Sequence, residues 1–169
     1  QRQMCIRDSF LFLLLSTSII QGQDFAYLEK IRLKKMDDYV GHEKNLIKAI
    51  DHLLKTPVSE GPNWQACGTF IDKYAHKNPI ISVHLGEEID EVSVGNPQIR
   101  QLYTGLWLKK AIQERGKSDK FYKTYIYAQL YKYCKAGNNI NKTKLIRSLI
   151  KAGDEKLLTD WIHQLGNRH

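Results

Sequence analysis

Residues 42–57 read HEKNLIKAIDHLLKTP. Leu46, Ile47, Ile50, Leu53 and Leu54 recur at three- and four-residue steps, so they share one face of a helix. Lys44, Lys48, Asp51 and Lys55 lie off that face. Pro57 stops the helix, because proline has no N–H to donate and disfavours helix in the residue before it. This period decides the fold class, since the same signature returns along most of the chain.

C-terminal to it, VSEGP (58–62) is a loop, and Pro62 can open a second helix where a missing N–H costs nothing. Cys67, Phe70, Ile71 and Tyr74 carry that helix until Asn78 and Pro79 break it. Residues 97–116 place Ile99, Leu102, Tyr103, Leu106, Trp107 and Ile112 on a broad face, with Gly116 as a C-terminal stop. Residues 118–137 begin with Ser118 in an N-cap position and end at Gly137. Their apolar and aromatic side chains go nearly all round the helix, which suits a central helix or one with an extra contact surface. Leu145, Ile146, Leu149 and Ile150 form the next stripe, ended by Gly153. Asp154 then caps a last helix carrying Leu157, Leu158, Trp161, Ile162 and Leu165. Towards the N-terminus, Phe25, Leu28 and Ile31 fit either a short helix or a loose arm over 23–41. Only PIISVHLGEEIDEVSVGNP (79–97) does not read as helix; its β-branched start has no partner strand, so an irregular or extended connection is expected around 79–96. The expectation is an all-α, single-domain bundle of five to six helices over 42–169, with short connections and no internal repeat.

The chain has 169 residues and a formal charge of +8. Its first residues hold an apolar run, Phe10 to Ile20, between a stub bearing Arg2, Arg7 and Asp8 and the small residue Gly22. A membrane-spanning helix needs roughly 20 apolar residues. This run is shorter and has the length of a secretory leader, with cleavage expected near Gly22 and a product that works in the periplasm or outside the cell, without a stable membrane span. Gln1 to Ser9 resembles a translated sequencing-adapter remnant and is set apart from fold reasoning together with Cys5. Beyond residue 23 the chain keeps a charge of +7, because the leader contributes Arg2, Arg7 and Asp8. Such a surface attracts acidic ligands (nucleic acid, anionic lipid, polysaccharide) or serves solubility alone. Cys67 and Cys134 could pair in an oxidising compartment, or stay as buried free thiols.

Candidates for chemistry are few. The histidines His42, His52, His76, His84, His163 and His169 include no pair at i, i+4, and zinc wants three or four ligands at recognisable spacing, so no metal is expected. Glu87, Glu88, Asp90 and Glu91 form the densest acidic patch, without the alternate spacing of a calcium loop. With His84 they make an alternative hydrolase-like site at His84, Glu87 and Glu88. No G-x-S-x-G and no phosphate-binding loop occurs, and no cofactor fingerprint is present. The remaining candidate is a binding face on 118–137. There Tyr122, Tyr125, Tyr127 and Tyr131 interleave with Lys123 and Lys132, as aromatic anchors do for proteins or sugars and as stacking platforms do for nucleic acid. Export makes nucleic acid the lesser partner.

The stretches NPIISVHL, NPQIRQLYTGLWLKKAIQ and KTKLIRSLIKAGDEKLLTDWI resemble a group of small exported helical proteins of Gram-negative bacteria. The resemblance spans most of the chain beyond the leader. It implies export and a helical domain, and it carries no functional residues over. The reading that results is an exported, non-catalytic helical protein that acts by binding a protein or an acidic ligand. An enzyme at His84 and a purely structural scaffold are the alternatives.

Overall fold

A computed structural model describes residues 24–115 and 122–167, which form nine helices and no strands. The expected leader, the adapter-like stub, the Gly116 stop and the Ser118 cap lie outside the described residues. In order, the helices are α1 (Tyr27–Lys30), α2 (Met36–Gly41), α3 (Glu43–Lys55), α4 (Pro62–Ala75), α5 (Glu87–Val92), α6 (Pro97–Gln113), α7 (Tyr122–Lys135), α8 (Lys144–Asp154) and α9 (Leu158–Gly166). The six longer ones are those the periodicity marks. The count rises above five to six because α1, α2 and α5 have only 4, 6 and 6 residues, about one to two turns each. Single turns are held by what they pack against rather than by their own propensity.

The segment read as arm or short helix is part of the core. Phe25 and Leu28 are wholly buried, the Phe25 amide donates to Asn63 Oδ1 at 3.1 Å, and the Phe25 ring lies 4.6 Å from the His52 ring. Lys73 Nζ reaches over from α4 to the carbonyl of Ile31, covering the end of α1. The acidic patch also finds its explanation here. Glu87, Glu88 and Asp90 occupy the first turn of α5, where carboxylates face the positive end of the helix dipole; Glu87 and Asp90 are exposed, while Glu88 is buried on the side that turns Ile89 and Val92 into the core. The connection expected over 79–96 is therefore extended only up to Gly86.

The most enclosed helix is α6, not α7. Every residue from Leu102 to Leu108 is buried, because α3 and α4 cover one side of α6 while α5 and α7 cover the other. In α7 the buried residues Tyr122, Ile126, Tyr127, Leu130, Tyr133 and Cys134 form a single stripe. Gly137, at φ 92°, ends α7 in the left-handed conformation that glycine adopts without strain. The end of α8 differs from expectation. Gly153 stays inside the helix, and Lys156 takes the left-handed turn at φ 60°. The Leu157 amide donates to the Ala152 carbonyl at 2.8 Å and the Lys156 amide to Gly153 at 3.3 Å, the paired bonds of a Schellman ending. Asp154 therefore closes α8 rather than capping α9.

Buried aromatic side chains bind the connections to the core. Tyr74 Oη donates to the Tyr39 carbonyl at 2.7 Å, and Tyr133 Oη donates to the Thr56 carbonyl at 2.8 Å. Each ring supplies apolar bulk and one donor; the Tyr39 carbonyl also accepts the His42 amide at 3.2 Å, and the Thr56 carbonyl lies at the end of α3. Cys67 and Cys134 are both buried and both free, so the disulfide that sequence allowed is not formed. Burial pushes each thiol up to about 12, which keeps them protonated and unreactive in the folded protein.

Candidate functional site

A concavity of about 820 Å³ lies between the end of α4, the extended residues that follow it and the start of α6. It is built by a change of direction after α4. Lys77 adopts a left-handed conformation, φ 55°, and Asn78 fixes the next turn. The Asn78 side chain donates to the Tyr74 carbonyl at 3.2 Å and accepts from the amides of Ile80 and Ile81 at 2.8 and 3.0 Å. Residues 81–86 then run without a turn or bend. Two side chains of α6 hold that run from behind. Trp107 Nε1 donates to the Ser82 carbonyl at 3.1 Å, and the Tyr103 hydroxyl approaches the His84 carbonyl at 3.5 Å.

Apolar and charged groups share the lining. Ile81, Val83 and Leu85 give it an apolar wall, while Lys77, Arg100, His76 and Asp72 stand around it. Asp72 is open to solvent on one side and hydrogen-bonded by Gln101 Nε2 at 2.7 Å. Burial against the groove wall raises its carboxyl above the usual range, opposed by the Gln101 bond and by Arg100. Arg100 also reaches Asp90 at 3.2 Å, in a pair whose side chains are about half exposed, so the guanidinium remains accessible. Among the described residues no side chain partners the Lys77 ammonium.

The residues of the alternative site lie outside the groove. His84 is exposed and lies against the Trp107 ring, 5.5 Å between centroids. Glu87 is exposed on the first turn of α5. Glu88 is buried and paired with Lys123, its carboxylate folded back over Gly86 in the space a Cβ would fill. Burial raises the Tyr103 hydroxyl above its ordinary value, and the Glu88 carboxylate adds to the rise. None of the three lines the groove. Among the described residues no cluster of His, Cys, Asp and Glu is placed to hold a metal ion, and no helix is long and apolar enough to cross a membrane.

The tyrosines and lysines of α7 do not make one face either. Tyr122 is buried edge-on against Trp107, and Tyr127 is buried between Tyr103 and Trp161 at 5.8 and 5.5 Å. Tyr125 is half-buried beneath the Lys110 ammonium, 4.5 Å from its centroid. Tyr131 lies flat on Gly153 of α8, where any Cβ would collide with its ring, and its hydroxyl donates to Asp154 at 2.6 Å. Lys123 is engaged with Glu88, and Lys132 is exposed. A helix alternating Tyr and Lys sends residues to every side, and the neighbours α6, α8 and α9 take most of the rings. Replacing Tyr131 would loosen the α7–α8 contact rather than probe a surface.

The groove residues Lys77, Arg100, Gln101 and Asp72 escape sequence reading, since they lie on three separate segments. The available signal was Asn78-Pro79 followed by the β-branched run, which marks a turn into an extended wall. Fold and site define a small all-helical protein with one extended segment walling a groove of mixed polarity. No family model, curated protein or solved structure matches the chain.

Proposed function

We propose that this chain is a non-catalytic binding module that captures an acidic ligand in the groove between α4 and α6. The observation that carries the reading is the accessible pair of permanent cations, Lys77 and Arg100, beside the apolar wall of Ile81, Val83 and Leu85 in a cavity of about 820 Å³. That volume suits a small molecule or a few residues of peptide. Asp72 is held by Gln101 and Arg100 is shared with Asp90, so among the described residues the rim charge that no acidic side chain offsets is that of Lys77. A binding role also fits better than hydrolysis, because His84 packs on Trp107 and Glu88 is committed to Lys123.

A fluorescein-labelled oligoglutamate peptide tests this by anisotropy. Binding should weaken as salt rises. The double variant Lys77→Ala/Arg100→Ala should lose about tenfold in affinity, the effect of removing roughly 1.4 kcal/mol of interaction. Lys142→Ala, far from the groove in sequence and not among its lining residues, serves as the control. Equal affinity of the double variant and the wild type would reject the site.

Export belongs to the same proposal and rests on the apolar run from Phe10 to Ile20. Expressed in a Gram-negative host behind a restored initiator Met, the protein should appear in the periplasmic or extracellular fraction with its N-terminus near Gln23 or Asp24. Cytoplasmic retention with residues 10–22 intact would remove export from the proposal.

A further inference from the structure

We infer that residues 81–85 form a vacant β-edge that accepts an extended acidic peptide as a second strand alongside the groove, an inference that rests on the groove reading above. In an extended chain the backbone groups of successive residues point to opposite edges. The carbonyls of Ser82 and His84 face α6, where Trp107 and Tyr103 meet them. The N–H and C=O of Val83, the N–H of Leu85 and the C=O of Ile81 therefore leave on the other edge. The Ile81 amide on that edge is taken by Asn78. Among the described residues the amides of Val83 and Leu85 and the carbonyls of Ile81 and Val83 have no partner, and no strand pairs with the run.

This differs from an ordinary loop in two respects. Its inner edge is clamped by rigid rings of the most enclosed helix, so the outer edge is held straight before any ligand arrives. Ile81, Val83 and Leu85 line the groove together with Ser82, while His84 does not, and in an extended chain Ile81, Val83 and Leu85 fall on one face. Five residues at about 3.3 Å each give an edge roughly 16 Å long, enough for a short strand. A peptide paired there places every second side chain over the groove, whose rim carries Lys77 and Arg100. Main-chain bonds supply affinity in this mode and side-chain pockets supply selectivity. The occupant is an acidic peptide rather than a second copy of this chain, because a formal charge of +8 sets copies against each other.

The probe is a labelled peptide of alternating glutamate and valine, about seven residues long. Val83→Pro removes one edge donor while keeping the extended backbone that proline and its predecessor favour. It should bind the peptide about tenfold more weakly, with an unchanged circular-dichroism spectrum. Undiminished binding by folded Val83→Pro, together with loss in Lys77→Ala/Arg100→Ala, overturns the edge and leaves the groove reading standing. Wild-type affinity in both variants, or no binding to the wild type, overturns both. If Val83→Pro does not fold, the wild type is titrated with two versions of the peptide, N-methylated on alternate amides in either register. A tenfold loss for one register supports the edge, and equal affinity for both versions and the parent overturns it. Sedimentation completes the test: a wild-type dimer that Val83→Pro abolishes would assign the edge to a second copy and overturn the peptide as its occupant.

Discussion

Trp107→Ala should lower the unfolding free energy by about 3–5 kcal/mol, the range for truncating a large aromatic in a packed core. Trp107 is 3% exposed and sits in the middle of α6. Its ring meets Tyr103 at 6.0 Å, Tyr122 at 5.5 Å and His84 at 5.5 Å between centroids, so one truncation empties a site shared by three partners. The indole N–H is lost with it, leaving the Ser82 carbonyl without its donor. Urea unfolding of the variant measures the total. Trp107→Phe separates the parts, because it keeps most of the ring bulk and removes only the hydrogen bond. That variant should cost about 1 kcal/mol globally. It should also raise amide exchange over residues 81–86 with little change in the rest of the molecule. A loss below about 1 kcal/mol for Trp107→Ala would show that the ring is not the clamp described here.

Asn96→Ala should cost about 2–3 kcal/mol, since each buried polar group left without a partner costs roughly 1–3 kcal/mol. An Asn just before a helix ordinarily accepts from that helix's first amides. Asn96 precedes α6 without doing so. Its side chain crosses to the other loop, donating from Nδ2 to the Asn141 carbonyl at 2.9 Å and accepting the Asn141 amide on Oδ1 at 2.7 Å. The residue is 3% exposed, so water does not replace these bonds cheaply. This one side chain joins the α5–α6 turn to the α7–α8 turn. Asn96→Asp keeps the acceptor but loses the donor and buries a charge, so it should be destabilised as well. Equilibrium unfolding decides the matter: an Asn96→Ala variant within about 0.5 kcal/mol of wild type would mean that the bidentate contact contributes nothing.

The long helices were legible because burial on one side imposes a period, and α3 shows it most plainly with Leu46, Ala49, Ile50 and Leu53 inside. The short helices were legible only in part, because 4 to 6 residues hold little of a period: Phe25, Leu28 and Ile31 left a short helix and a loose arm both open, and α5 was not read. In α5 the only traces were the Ile89–Val92 spacing and the acids at its start, and both were open to other readings. The ends of α8 and α9 misled for a similar reason. Gly153 reads as a stop, yet it is needed inside the helix so that the Tyr131 ring can lie against it. The lone turn residue is then Lys156, whose side chain gives no hint of a positive φ.

The site was less legible than the fold. A row of tyrosines at helical spacing looks the same whether the rings meet solvent or a neighbouring helix. Only the positions of α6, α8 and α9 around α7 decide that most of them face inward. His84, Glu87 and Glu88 are near neighbours in the chain, but the extended wall ends and α5 begins between them, sending Glu88 inward to Lys123 while His84 stays on Trp107.

The order of residues by itself determined an all-helical chain, its six main helices and the turn at Asn78-Pro79, because periodicity and proline chemistry act over a few neighbouring residues. Tertiary structure alone decided which tyrosines are core, which carboxylates are paired, and that Asp72, Lys77, Arg100 and the wall from Ile81 to Leu85 share one groove. Those groups come from separate segments. Their meeting depends on how α4 and α6 pack, a relation between distant parts of the chain that no local pattern encodes.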